Sequence, residues 1–224
     1  MKFTNSFSRD LGVFTWAELQ AAYPNGGGAL SALPSGAWAF VTDWSVPFFR
    51  NSGGTKWATQ PFSIYVLPSP VTVQSASETL MTQFNVPAAL LGTRAQLRME
   101  FGLADNGTTT SFSLRVRMGT AGTTSDALIR QTVTMGSAAQ RTKGFTLDAE
   151  TKSAPAINTI GVERTDMAGA YGLAGVSSAT RSADSTIPNL GSSANILSVF
   201  AFGDNATDIV TLEALRATIY TCGT

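Results

Sequence analysis

The chain has no histidine, a single cysteine and only four lysines in its 224 residues. Without histidine there is no Ser-His-Asp or Cys-His nucleophile system, no histidine-bearing zinc site and no side chain whose ordinary titration falls near neutrality. Cys222 is alone, so neither an intrachain disulfide nor a thiolate metal cage can form, and it reads as a small residue ending a terminal strand. Charged residues make up 13% of the chain, about half the share usual in soluble domains. The surface is therefore expected to be rich in Ser, Thr, Asn and Gly, or partly hidden against other chains. The formal net charge is zero, which argues against nucleic acid or an anionic membrane as a partner. Near-neutral surfaces also associate more readily than charged ones.

Other absences narrow the class further. Met1 and Lys2 lead into Phe3-Thr4-Asn5-Ser6 rather than an apolar run of signal-peptide type. Two uncharged stretches, 19–42 and 57–77, are broken by Gly26-Gly27-Gly28 and Pro34 and by Pro61, Pro68 and Pro70. Neither can be a spanning helix, so the expectation is a soluble protein made in a reducing cytoplasm, with no membrane insertion. There is no repeat of fixed period. The triple glycine is followed by Ala29-Leu30 and no basic residue, so it is a connection and not a phosphate-binding loop.

What is present is alternation. Leu97, Met99, Phe101 and Leu103 alternate with Arg98, Glu100 and Gly102, and Phe112, Leu114, Val116 and Met118 alternate with Ser113, Arg115 and Arg117. Period two with one apolar face is a half-buried strand. Asn106-Gly107 between the two runs supplies the positive φ angles of a tight turn, so a β-hairpin is expected. In that register Phe101 faces Phe112 and Met99 faces Leu114. Arg98 then lies opposite Arg115, a like-charge pair that Glu100 would screen diagonally. A four-residue loop over 106–109 would put Glu100 opposite Arg115 instead.

Taken in order, residues 1–12 carry no periodic signal and are expected to extend or pair with a partner. Phe14 to Tyr23 reads as a helix. Thr15 and Glu18 form a capping box, Phe14 and Leu19 hold the staple positions, and Pro24 stops it. Residues 26–35 read as loop. Strands are expected over 38–43, 46–50 and 55–59, with Asn51-Ser52-Gly53-Gly54 turning between the last two. This small module carries Trp16, Trp38, Phe40, Trp44, Phe48, Phe49 and Trp57. That is more aromatic surface than so small a core can bury, so some should face another domain or subunit. Trp38, Trp44, Phe48, Phe49 and Trp57 are the candidate interface with another subunit or another protein. The Pro-punctuated stretch 60–70 is taken as the domain boundary, giving an N-terminal module over 1–62 and a C-terminal domain over 63–224. Evenly spaced strand signals follow from Val71, at 80–86, 126–135, 141–147, 157–162, 196–202 and 215–221. They predict an antiparallel β-sandwich, with 177–193 as its long surface loop; its LRMEFGLADNG run and closing ALRATIYT strand resemble, at the level of fold, the jelly-roll-type sandwiches of fibre proteins. The fold class is mainly β, with a small helix-plus-β module ahead of the sandwich.

Little in the chain carries chemistry. Paired carboxylates could hydrolyse glycosides, but most acidic residues, such as Asp105, Asp148, Glu150 and Asp204, fall in expected turns. Asp204-Asn205 with Asp208 could offer oxygens to calcium but lacks the spacing and glycine of an EF-hand, and reads as a plain turn. The reading is therefore non-enzymatic, with no cofactor and no metal. Arg164-Thr165-Asp166 with Tyr171 amid glycines is a polar-aromatic mixture suited to sugar hydroxyls, and Arg164, Asp166 and Tyr171 are candidate glycan contacts. For Tyr171 a core or interface position is the stronger reading.

Over 36–57 the sequence resembles a short module of tailed-bacteriophage tail fibre and virion proteins. A glycine, an apolar-Ala-Phe-Val-Thr-Asp strand, an aromatic strand and a Gly-Thr-basic-Trp close stand here as Gly36, WAFVTD, PFFRNSGG and TKW. The aspartate usual before the second glycine is replaced by Gly53. The resemblance implies a virion structural protein, a short tail fibre or other host-attachment protein. It also implies self-association as a homotrimer, other virion proteins as partners and a bacterial surface glycan as a receptor. A head-decoration or collar fibre and a carbohydrate-binding fibre tip are the alternatives. A depolymerase is disfavoured, because polysaccharide-cleaving fibres resemble long parallel β-helices and this chain has no such repeat.

Overall fold

The computed structural model describes residues 9–92, 95–105, 112–131, 143–151, 159–166, 185–187, 193–203, 206 and 209–221. The chain opens with β1 (Asp10–Phe14), α1 (Trp16–Ala22) and a four-residue helix α2 (Gly28–Ser31). β2 (Trp38–Val41), β3 (Val46–Arg50) and β4 (Trp57–Ala58) follow. These four strands form one sheet in the order β1-β2-β3-β4. Residues 10–12, expected to extend or pair with a partner, are extended and begin an edge strand running parallel to β2 within the chain. α2 lies in the stretch expected to be loop.

The helix is built as its sequence dictates. Thr15 accepts from the Glu18 amide at 3.2 Å and Glu18 accepts from the Thr15 amide at 2.7 Å. A third free amide, that of Trp16, donates to Asp43 Oδ2 at 2.5 Å. The aspartate closing WAFVTD is therefore a helix cap supplied from another element. The turn after β3 is closed by Asn51, whose side-chain oxygen accepts from the Thr55 and Lys56 amides. Gly54 sits there at φ 68° beside the Arg50 guanidinium, a conformation and a space that favour glycine.

The remaining strands make two sheets. The smaller has the order β10-β9-β14-β7, from β7 (Thr79–Val86), β9 (Phe112–Gly119), β10 (Ala127–Gln131) and β14 (Asn195–Gly203). The larger runs β13-β12-β11-β8-β15-β5, with β6 also on β15. It comprises β5 (Phe62–Val66), β6 (Val71–Gln74), β8 (Gln96–Asp105), β11 (Lys143–Thr151), β12 (Thr159–Asp166), β13 (Ser185–Thr186) and β15 (Ile209–Thr221). Leu97, Met99, Phe101 and Leu103 of the larger sheet share one core with Leu114, Val116, Met118, Leu197 and Val199 of the smaller. The domain is a β-sandwich, and most connections cross between its sheets, as in jelly-roll-like folds.

The expected hairpin of 97–118 does not form. Both runs are strands with the expected inward faces, but β8 pairs with β11 and β15 while β9 pairs with β10 and β14. They lie in opposite sheets, and their apolar faces meet across the core instead of side by side. Arg98 stands opposite Asp148 and Thr218, Glu100 opposite Arg216, and Arg115 opposite Phe200. The like-charge pair of the hairpin register is absent, and Asn106 and Gly107 lie outside the described residues. The sandwich strands begin inside the Pro-punctuated stretch, at Phe62, and not at Val71. β5 and β6 follow one another along the same edge of β15, with the Leu67 amide bonded to the Leu215 carbonyl at 2.8 Å between them. Pro68 and Pro70 fall at the break, on an edge where a missing donor costs least.

Candidate functional site

Sheet register sorts the aromatics of the first module into two faces. Ala39, Val41 and Phe48 point into the core and are fully buried. Trp57 closes it from β4, with its indole N–H donated to the Tyr23 carbonyl at 2.9 Å and its backbone amide to Asn25 Oδ1 at 3.0 Å. Trp16, Trp44, Phe48 and Phe62 form a ring cluster with centroids 4.9–6.1 Å apart. Phe62 is the first residue of β5, so its ring belongs to the module's core while its backbone opens the sandwich. The second part of the chain is fastened to this module: Trp16 Nε1 donates to the Ala88 carbonyl at 2.8 Å and Asn25 Nδ2 to the Ala89 carbonyl at 3.2 Å.

The other face stays open. Trp38 pairs with Phe49, Phe40 with Pro47, and Val13 with Phe40. Cross-strand partners share a face, so these five residues form one apolar surface on the side of the sheet away from the core. Val13 is 68% and Phe49 42% exposed, and Trp38, Phe40 and Pro47 are half-buried. Of the five aromatic interface residues expected from sequence, Trp38 and Phe49 are adjacent on this face. Trp44 is half-buried against the core, while Phe48 and Trp57 are wholly inside and present no surface to a partner. Val13, Phe40 and Pro47 lie on the face but outside that set of five. The alternation WAFV against VPFF marks the two faces.

The outer face of the smaller sheet carries a polar cluster that sequence reading also missed. Glu78, one residue before β7, accepts from Arg115 Nη1 at 2.7 Å and from Arg117 at 2.5 Å through Nε and 3.1 Å through Nη2. Arg117 Nη1 also donates to the Asp126 carbonyl at 2.8 Å, and the Arg115 guanidinium lies 4.4 Å from the Phe202 ring centre. Burial works against the Glu78 charge, but the bonds and charges of Arg117 and Arg115 outweigh it and hold the carboxyl below its ordinary range.

Arg164 and Asp166, expected at a glycan site, lie in β12 opposite Leu147 and Phe145 of β11. Tyr171 lies outside the described residues, as do Asp204, Asn205, Asp208 and Cys222. Among the described residues no group of acidic, histidine or cysteine side chains could hold a metal ion, and no helix is long and apolar enough to cross a membrane.

No family model matches the sequence, and no curated protein matches it. Several solved structures share a broad likeness. The CBM2 module of the evolved Dit of Lactobacillus casei BL23 phage J-1 aligns at TM-score 0.39 and 7% identity, over 74% of this chain and 98% of that one. Winged bean acidic lectin in complex with methyl-α-D-galactose aligns at 0.34 and 8%, over 72% and 99%. A structure of infectious bursal disease virus, Gx strain, aligns at 0.32 and 11%, over 74% and 42%. Likeness at this level carries no argument about this chain's family or function.

Proposed function

We propose that this chain is a structural protein of a bacteriophage virion, a short tail fibre or other host-attachment protein. In this reading the first module makes the assembly contacts and the sandwich projects. The observation that carries it is the apolar outer face of Val13, Trp38, Phe40, Pro47 and Phe49. It lies on the strands that bear the fibre-like pattern WAFVTD and PFFRNSGG. The pattern's remaining residues have structural work: Asp43 caps α1, Gly54 makes the turn, and Trp57 seals the core.

The occupant of the face is a further copy of this chain, three in all by the fibre resemblance. The patch is uncharged in a chain of zero net charge and four lysines, so identical faces meet without repulsion. Residues 1–62 and 63–224 would act as joining and projecting units. Gold-labelled antibody against the sandwich, viewed on phage particles by electron microscopy, tests the reading. Label at tail or fibre tips is expected. Label on the head surface would favour the decoration alternative, and label absent from every particle would overturn the virion reading.

A further inference from the structure

The order β9-β14-β7 places β14 between the strand that carries Arg115 and Arg117 and the strand that Glu78 precedes. The Glu78 bridge to those arginines therefore passes across the outer face of β14. That face presents Ser198 opposite Arg117 and Phe200 opposite Arg115. Both point away from the main core, yet Ser198 is 0% and Phe200 3% exposed, and the Ser198 hydroxyl has no hydrogen-bond partner among the described residues. A buried hydroxyl and a buried ring beneath an ion-paired strap are an unusual use of an outer sheet face, because an unpaired buried polar group costs stability.

We propose that Arg115 and Arg117 form a binding site for the carboxylate of an acidic sugar, closed in this state by Glu78 as an internal occupant. Two guanidiniums converging on one carboxylate is the geometry that recognises carboxylates. The floor suits a pyranose: Phe200 offers a ring for its C–H groups, and Ser198 offers a hydroxyl without a partner among the described residues. Glu78 stands one residue before β7, outside the ladder of the sheet, so its side chain can turn aside without breaking a strand pairing. Such a rotation withdraws the carboxylate that Arg115 and Arg117 now share. This proposal rests on the attachment reading for the source of the sugar, a bacterial surface polysaccharide, and not for its chemistry.

The test is titration of the full-length chain with trigalacturonate, and with neutral galactotriose as the control, by calorimetry. Trigalacturonate should bind, and the neutral sugar should bind about tenfold more weakly or not at all, as loss of a charge-assisted contact requires. Glu78→Gln removes the competing charge and should tighten trigalacturonate binding about tenfold. Arg117→Gln should abolish binding. Because Arg117 also holds the Asp126 carbonyl, Arg115→Lys provides a second variant, which keeps the charge but not the planar fork and should weaken binding with the fold intact by circular dichroism. Equal binding of the two sugars, weaker binding by folded Glu78→Gln, or no binding by either wild type or Glu78→Gln would overturn the proposal. Binding by a chain that labels no particle would leave this site standing and remove the attachment reading. A particle-bound chain that binds neither sugar would do the reverse.

Discussion

Trp16 donates its indole N–H to the carbonyl of Ala88 at 2.8 Å, which pins the first helix to the loop after β7. Trp16 is also nearly inaccessible at 3% exposure and packs on Trp44 and Phe48. One side chain therefore fills the module's core and fastens it to the sandwich. Trp16→Phe keeps a ring but leaves the Ala88 carbonyl without this donor. A loss of about 1–3 kcal/mol is expected, read by urea denaturation. An unchanged midpoint would show that water replaces the bond without cost.

The helix start supplies a second, local prediction. Thr15→Ala removes the acceptor for the Glu18 amide and should cost about 1 kcal/mol, with Thr15→Ser recovering most of it. The Asp43 bond to the Trp16 amide remains in both variants, so the helix should weaken and not vanish. Hydrogen exchange at residues 16–22 measures this directly. Equal protection in the Ala variant and wild type would show that the Glu18 and Asp43 carboxylates cap the helix without the Thr15 hydroxyl.

These two cases mark what was legible in the sequence. The capping box, WAFVTD and the Asn51–Gly54 turn depend on residues a few positions apart, and each was read correctly as local structure. The runs 97–103 and 112–118 were also read correctly as strands with the right inward faces. Their pairing was not, because period two identifies a strand and its buried side but not the sheet that strand joins. The Arg98–Arg115 clash in the hairpin register was the local sign of conflict. The structure removes it by sending the two strands to different sheets. The Glu78 strap was invisible for the same reason: it needs β14 to enter between β7 and β9 from far along the chain. The two faces of the first module were legible in principle, since Phe48 and Phe49 are consecutive and must point to opposite sides.

The strap also makes stability depend on pH. Glu78 titrates below its ordinary value of 4.5, because the arginines favour the charged form more strongly than burial opposes it. A carboxyl depressed in the folded state adds stability that is complete above its unfolded value and is lost as pH falls through its folded value. Wild type should therefore be more stable than Glu78→Gln at neutral pH, and the gap should close on acidification below the ordinary glutamate range. Urea midpoints of both proteins at matched ionic strength provide the measurement. A gap that persists unchanged at low pH would show that Glu78 acts through packing and not through its charge.

The final prediction concerns the open face. Among the described residues of the first module, Phe49 and Val13 are the most exposed large apolar ones, and both lie on the side of the sheet that faces away from the core. Full burial of a phenylalanine side chain contributes about 1.5–3 kcal/mol, and each subunit would bring several apolar residues to a closed ring. With no net charge to oppose association, the full chain is expected to sediment as a discrete oligomer at micromolar concentration, with three copies following from the fibre resemblance. Phe49→Asp combined with Val13→Asp should return it to a monomer. The circular dichroism spectrum should be unchanged, because neither side chain enters the core. Trp57→Ala provides the contrast: Trp57 is fully buried, so its loss should cost about 3–5 kcal/mol of folding stability rather than act on assembly selectively. A wild-type chain that stays monomeric at these concentrations would remove the self-association reading and leave another virion protein as the occupant of the face.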